Sequence, residues 1–353
     1  MLLQENVALA PLTTFKVGGP ARYFVEAKTI GDVQGAVTFA RSRQLELFTL
    51  GGGSNLVVAD SGWPGLVLKV AIPGIERRSE ISPGEVGKVL FDVGAGESWD
   101  KFVAYAVVRH CAGVECLSGI PGSVGGTPVQ NVGAYGQEVA ETIESVEALD
   151  LKDNQVRELC REACGFTYRT SIFNTTERGR FIILRVTYAL TTGGEPSIRY
   201  ADLQRHFSGW ESAPNLAEVR EAVRHIRALK GMLIVPGDED CQSAGSFFKN
   251  PVLTEAEHEA LKERATARGL TVPSYPALET RKKVSAAWLV EHSGFSKGFG
   301  SGRVGISRKH ALAIVNRGGA TAWEVLALKE DIQHRVAEIW GVGLEPEPVM
   351  VGF

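Results

Sequence analysis

From residue 119 the chain reads Gly119-Ile120-Pro121-Gly122-Ser123-Val124-Gly125-Gly126-Thr127-Pro128-Val129-Gln130-Asn131-Val132-Gly133-Ala134-Tyr135-Gly136. Six glycines in eighteen residues mark backbone held close to something else. A floppy linker would lack the interleaved Ile120, Val124, Val129 and Val132. The polar members Ser123, Thr127, Gln130, Asn131 and Tyr135 are uncharged hydrogen-bonding groups, a lining that suits an extended polar cofactor with phosphates. A second cluster, Gly51-Gly52-Gly53-Ser54-Asn55, follows an apolar strand. Its successive N–H groups can form an anion-binding nest or an ordinary glycine turn, and these residues alone leave both open. A third group lies at 294–305. Together the three hold about a third of the 40 glycines, which make up about 11% of the chain against a usual share of about 7%.

The wider composition narrows the classes. With 353 residues, two or three domains are expected. Lys and Arg number 38 against 41 Asp and Glu, so the net basic field of a dedicated nucleic-acid binder is absent. No apolar run is long enough to span a bilayer, and the start MLLQENVALAPL lacks the features of a secretory leader. Five cysteines, an odd number, fit reduced thiols in the cytoplasm. Cys160 and Cys164 lack a second ligand pair nearby, so no metal is expected.

Periodicity gives a first lobe over 1–72. Extended segments surround Gly18-Gly19-Pro20, namely 15–17 and 22–25. Val33, Ala36, Val37 and Ala40 follow helical spacing behind Asp32 as N-cap, and strands follow at 45–50 and 65–70. A second lobe over 73–213 has a strand at 89–93, a helix marked by Trp99, Phe102, Val103, Ala106 and Val107, and strands of one sheet at 143–149 and 181–190. Breaks are expected at 191–194 and near Pro214. The third region, 214–343, opens with a helix over 216–229 whose Asn215 and Glu218 are spaced as a capping box. Further helices are expected near 255–267 and 284–292, and a last one is capped by Thr321 and Glu324. The segment 344–353 forms a tail.

Several catalytic templates fail. Neither glycine cluster is G-x-G-x-x-G, and no Walker lysine loop is present. Gly294-Phe295-Ser296-Lys297-Gly298 fits the hydrolase G-x-S-x-G elbow, which needs a strand before the serine. Here a helix precedes it, and the glycine belongs to the helix end.

Taken in order, Thr13-Thr14-Phe15, 51–55, 120–136, Phe166-Thr167-Tyr168-Arg169-Thr170-Ser171-Ile172-Phe173, Gly245-Ser246-Phe247-Phe248-Lys249-Asn250-Pro251 and Leu344-Glu345-Pro346-Glu347 resemble the UDP-N-acetylenolpyruvoylglucosamine reductase family over nearly the whole chain. The resemblance implies an α+β fold: a two-lobed FAD-binding domain of the PCMH or vanillyl-alcohol-oxidase type (about 18–193), then a smaller α+β substrate-binding domain. The tail would return to the active site. Non-covalent FAD, NADPH as co-substrate and a nucleotide-sugar enolpyruvyl ether as acceptor are implied, in a cytoplasmic monomer without nucleic-acid or membrane partners. The positions implied for cofactor binding are Gly51, Gly52, Gly53, Ser54, Asn55, Gly122, Ser123, Gly125, Gly126, Thr127, Asn131, Gly133 and Ala134. For substrate they are Tyr135, Tyr200, Lys230, Asn250, Lys283 and Lys297, Tyr200 matching the substrate-covering loop of the type I subgroup.

For catalysis the resemblance implies Ser246 as proton donor, with Arg169 and Glu347. The types suit the chemistry. Reduction of the enolpyruvyl group spreads negative charge into its carboxylate, which an arginine can neutralise; losing such a donor typically costs about 3–4 kcal/mol. An enolate-like carbon is basic enough to take a serine proton, and a protonated Glu347 would hydrogen-bond the acid-enolate. The first loop departs from many relatives, which carry an acidic residue in its middle, but the backbone nest survives. A flavin oxidase tethered through a histidine near that loop is excluded, because neither His nor Cys occurs before His110. A flavin-binding module without turnover would not need Ser246, Arg169 and Glu347.

Overall fold

The structure, a computed structural model, describes residues 1–78, 87–277 and 280–353. It divides into two compact units. One comprises Met1–Val7, Ala21–Gly53 and Trp63–Leu229; the other comprises Ala8–Pro20, Ser54–Gly62 and Lys230–Phe353. The fold is α+β.

The first unit builds two sheets on one core. A four-stranded sheet runs in the order Leu3–Ala8, Pro20–Ala27, Trp63–Val70, Leu47–Leu50, and Trp63–Val70 is parallel to the strands on either side of it. Parallel strands need a crossover, which the helix Ile30–Ser42 supplies by burying Val33, Ala36, Val37 and Ala40. Its N-cap is Thr29 rather than Asp32; Asp32 is the third helical residue and closes a capping box with Thr29. The expected extended segment at 15–17 is not a strand, whereas 22–25 lies inside one.

The second sheet has six antiparallel strands in the order Gln155–Cys160, Ile143–Asp150, Phe181–Thr192, Gly87–Gly94, Ile75–Arg77, with Cys111–Ala112 also on Phe181–Thr192. Thr191 and Thr192 pair with Ala112 and Cys111, so the break expected at 191–194 begins only at Gly193. The helix Trp99–Val108 buries its predicted apolar stripe. One apolar cluster runs from Val25 and Leu68 to Phe91, Val186 and Leu190, so the two lobes read as dividing near residue 72 share a core.

The helix Leu216–Leu229 also belongs to this unit, although periodicity placed it in the third region. Its Val219, Val223 and Ile226 pack with Leu203, Phe207, Cys116 and Tyr135. Its Arg220 and Arg224 pair with Asp100 at 2.7 Å each. A capping box spacing cannot announce either partner.

In the second unit a three-stranded sheet (Val252–Leu253, Lys282–Val284, Ser274–Pro276) and the hairpin of Val304–Ile306 with Ile314–Asn316 pack with the helices Glu255–Thr266, Ala286–Glu291 and Ala322–Trp340. Two early segments complete it. Val349–Val351 pairs in parallel with Leu56–Val58. Asp60 accepts the N–H groups of Ala322 and Trp323 at 2.8 and 3.2 Å, which places a carboxylate where the helix dipole favours it. Phe15 is fully buried edge-on to Phe247, and the Asn316 side chain donates to the Phe15 and Lys16 carbonyls. These contacts draw 8–20 and 54–62 away from the N-terminal lobe to which sequence order assigned them.

Candidate active site

The two glycine loops of the first unit touch backbone to backbone. A Cβ on Gly52 would lie 2.5 Å from Gly122 Cα and 2.6 Å from Ser123 N, so only glycine allows this approach. A Cβ on Gly125 would lie 2.7 Å from Ala95 Cβ, and Gly125 donates to the Ala95 carbonyl, which seats the loop on the strand Gly87–Gly94. Two features stay unfilled. The buried Ser123 hydroxyl has no hydrogen-bond partner, and a Cβ on Gly126 would meet no atom within 4 Å. An orphaned buried hydroxyl close to open space over glycine backbone is what a phosphate oxygen would complete.

Other members of the loop hold its shape. Asn131, only 1% exposed, donates to Glu138 and to the Thr167 carbonyl and accepts from Ala140 N. Thr127 is spent on the Val124 carbonyl and on Tyr188. The structure therefore commits the polar groups of both residues within the protein.

Arg169 stands beside this loop in the same unit. The hairpin Thr167–Thr170 exchanges two backbone hydrogen bonds, and the Ser171 hydroxyl donates to the Val129 carbonyl. Arg169 Nη2 donates to the Gly133 carbonyl at 2.8 Å. Asn131, Tyr135 and Arg169 all have φ between +45° and +56°. Three non-glycine residues in left-handed backbone within one cluster is the strain that functional sites hold.

Tyr135 is 8% exposed and meets the exposed Tyr200 edge-on at 5.4 Å between ring centroids. Burial pushes its phenol up to about 12, against the charge and hydrogen bond of Arg227. Arg227, beside Tyr135, is a residue that the sequence reading did not single out. It follows Val223 by four residues, on the flank of the helix's apolar stripe, and a charge there was the available signal. Asp100 aligns this assembly: it accepts from Gly119 N at 2.6 Å and from Arg220 and Arg224. Burial pushes its carboxyl up, but the hydrogen bonds of Arg220 and Gly119 and the two guanidinium charges outweigh that and leave it below its ordinary value.

In the second unit Ser246 follows Gly245, whose φ is +74°. The segment around it is laced on two sides. Phe247 N donates to the Leu312 carbonyl at 2.8 Å, Lys249 N donates to Glu345 O, and Glu347 N donates to Phe247 O. Phe248 and Pro346 form an antiparallel bridge, which fixes Ser246 and Glu347 on neighbouring backbone. Asn55, expected at the cofactor, donates its side-chain N–H to the Glu347 carbonyl at 3.1 Å, and Ser54 O accepts from Thr14. Asn250 spends its side-chain carbonyl on Ala286 N, at the start of the helix Ala286–Glu291, leaving its amide N–H groups as donors. Lys283 lies in the central strand of the three-stranded sheet. Lys230 opens the last of the unit's three segments, and Lys297 follows the helix Ala286–Glu291. That helix precedes Ser296, and His292 caps it before Gly294 turns the chain at φ +97°, so no nucleophile elbow forms.

Comparison with known proteins matches an FAD binding domain over residues 21–159. It also matches the UDP-N-acetylenolpyruvoylglucosamine reductase C-terminal domain over 236–351. The reductase of Thermobifida fusca is 45% identical, over 99% of this chain and 98% of its own. The chain belongs to the UDP-N-acetylenolpyruvoylglucosamine reductase family. The reductase of Streptomyces coelicolor is 44% identical, over 99% of this chain and 90% of its own. The solved structure of the Thermus caldophilus reductase aligns with 99% of this chain and all of its own at a TM-score of 0.64 and 27% identity. The FAD binding domain match ends at 159, so Arg169 lies beyond it, and Ser246 and Glu347 fall inside the reductase-specific match. Among the described residues no helix is long and apolar enough to cross a membrane.

Proposed function

We propose that this chain reduces the enolpyruvyl ether of UDP-N-acetylglucosamine-enolpyruvate to UDP-N-acetylmuramate with NADPH, as a cytoplasmic monomer supplying peptidoglycan precursors. The observation that carries the reading is the full-length relationship to reductases of that name. FAD held by this chain would supply the hydride chemistry that links NADPH to the enolpyruvyl group. Residues 51–53 and 119–136 would hold it, with the Ser123 hydroxyl and the backbone around Gly126 facing its phosphates. The segment Lys230–Phe353 would take the nucleotide-sugar, using Lys230, Asn250, Lys283 and Lys297; Tyr135 and Tyr200 are the other residues assigned to substrate.

Arg169, whose guanidinium donates to the Gly133 carbonyl, neutralises the charge that grows on the substrate carboxylate. The Ser246 hydroxyl gives its proton to the α-carbon. Glu347 hydrogen-bonds the carboxylate side of the acid-enolate, and Asn55 fixes its backbone. Arg227 adds a cation beside Tyr135.

The test is anaerobic. NADPH should bleach the flavin absorbance, and the enolpyruvyl nucleotide should restore it. Restoration by oxygen alone, with the nucleotide inert, would point to an oxidase instead. Ser246→Ala should bleach normally and fail to recover; normal recovery would assign the proton to another group.

A further inference from the structure

His310 lies in the turn between the strands Val304–Ile306 and Ile314–Asn316. Ser307 Oγ accepts the N–H groups of Lys309 and His310 at 3.0 and 3.3 Å, so the turn is tightly held. The His310 ring is oriented by Leu312, whose N–H donates to Nδ1 at 3.1 Å. An accepting Nδ1 leaves the neutral ring's proton on Nε2, making that nitrogen a donor.

Three segments of the second unit converge on this turn. Gly298 N donates to the Ser307 carbonyl at 3.1 Å, which brings Lys297 alongside. A Cβ on Gly231 would lie 3.4 Å from Lys309 Cδ, which brings Lys230 alongside. The Leu312 carbonyl accepts from Phe247 N, next to Ser246. The nearby acids are occupied: Asp238 pairs with Lys309 at 2.5 Å, and Asp240 Oδ1 accepts from Arg308 N.

We infer that His310 Nε2–H donates to the diphosphate of the bound nucleotide-sugar beside Lys230 and Lys297, and that the imidazole gains a proton when this anion arrives. The inference rests on the nucleotide-sugar reading above. Burial, then the charges of Lys230 and Lys297, hold the free imidazole down to about 4, so at neutral pH it is uncharged. A diphosphate offsets both lysine charges and raises that value. Proton uptake on binding then falls between the free and the bound values, and affinity rises as pH falls through the bound one.

Isothermal titration calorimetry of the FAD-loaded protein with UDP-N-acetylglucosamine tests this, because its doubly esterified diphosphate does not itself titrate near neutral pH. Run at about pH 6 in two buffers of different ionisation enthalpy, the wild type should take up a fraction of a proton. His310→Asn keeps an acceptor for the Leu312 N–H but lacks the outer donor; it should bind roughly tenfold more weakly, without uptake, at unchanged flavin absorbance. His310→Gln places an amide N–H near the Nε2 position and should bind within about threefold of wild type, again without uptake. Unchanged affinity or persisting uptake in His310→Asn, with the wild type binding well, overturns the inference alone. No binding by the wild type overturns the nucleotide-sugar reading together with it.

Discussion

Gly126→Ala separates a cofactor cradle from a merely well-packed loop. In the protein without flavin the new methyl group meets nothing within 4 Å, and Gly126 lies outside the left-handed region. Its N–H donates to the Ser123 carbonyl at 3.0 Å, a bond that alanine keeps. The substitution should therefore leave apoprotein stability unchanged or raise it by about 0.4–1 kcal/mol, through the lower entropy of the unfolded chain. A cofactor phosphate in the space over Gly126 would meet the methyl group inside normal contact distance. Overpacking of that kind costs about 1–3 kcal/mol, a loss of roughly 5- to 150-fold in FAD affinity. Gly52→Ala is the contrasting case. Its Cβ collides with Gly122 Cα and Ser123 N at 2.5 and 2.6 Å, so it should lose both stability and affinity. Urea unfolding of the apoprotein and titration with FAD by flavin fluorescence quenching give the two quantities. Wild-type FAD affinity in a stable Gly126→Ala protein would refute the placement of the phosphates there.

Asp100→Asn leaves Arg220 and Arg224 without their carboxylate and should cost about 2–3 kcal/mol in urea unfolding. Arg220→Gln should cost less on that background than on wild type, and additive losses would show that the residues act independently. Asp150 is fully buried and accepts from Arg180, Arg157 and Lys152 N. The Arg180 hydrogen bonds, ahead of those from Lys152 N and Arg157, hold its carboxyl well below the usual range. Because the folded value is depressed, this stabilisation is present above the unfolded value of about 4 and is lost as pH falls below it. Asp150→Asn should lower the melting temperature by roughly 2–6 °C at neutral pH. That gap should close as pH falls below about 4; a gap constant with pH would contradict the assignment.

Short-range patterns determined much of this protein. The capping boxes of the helices Leu216–Leu229 and Ala322–Trp340, the apolar stripe of Trp99–Val108 and the strands around 89–93, 143–149 and 181–190 are legible because side chains three, four or two residues apart decide them. The same holds for the glycine loops, whose composition announces close backbone approach, and for the family motifs around Arg169, Ser246 and Glu347. The tertiary structure decided which of these belong together. Thr14, Phe15 and Asp60 join a unit otherwise built from residue 230 onward, through partners such as Ser243, Asn316 and Ala322. It turned Asn131 and Thr127 inward and brought Arg227 to Tyr135. It also brought the His310 ring within reach of the charges of two lysines distant in sequence. Such pairings span tens to hundreds of residues, and no period in the chain encodes them. They follow from which buried polar groups can satisfy one another once the core has closed.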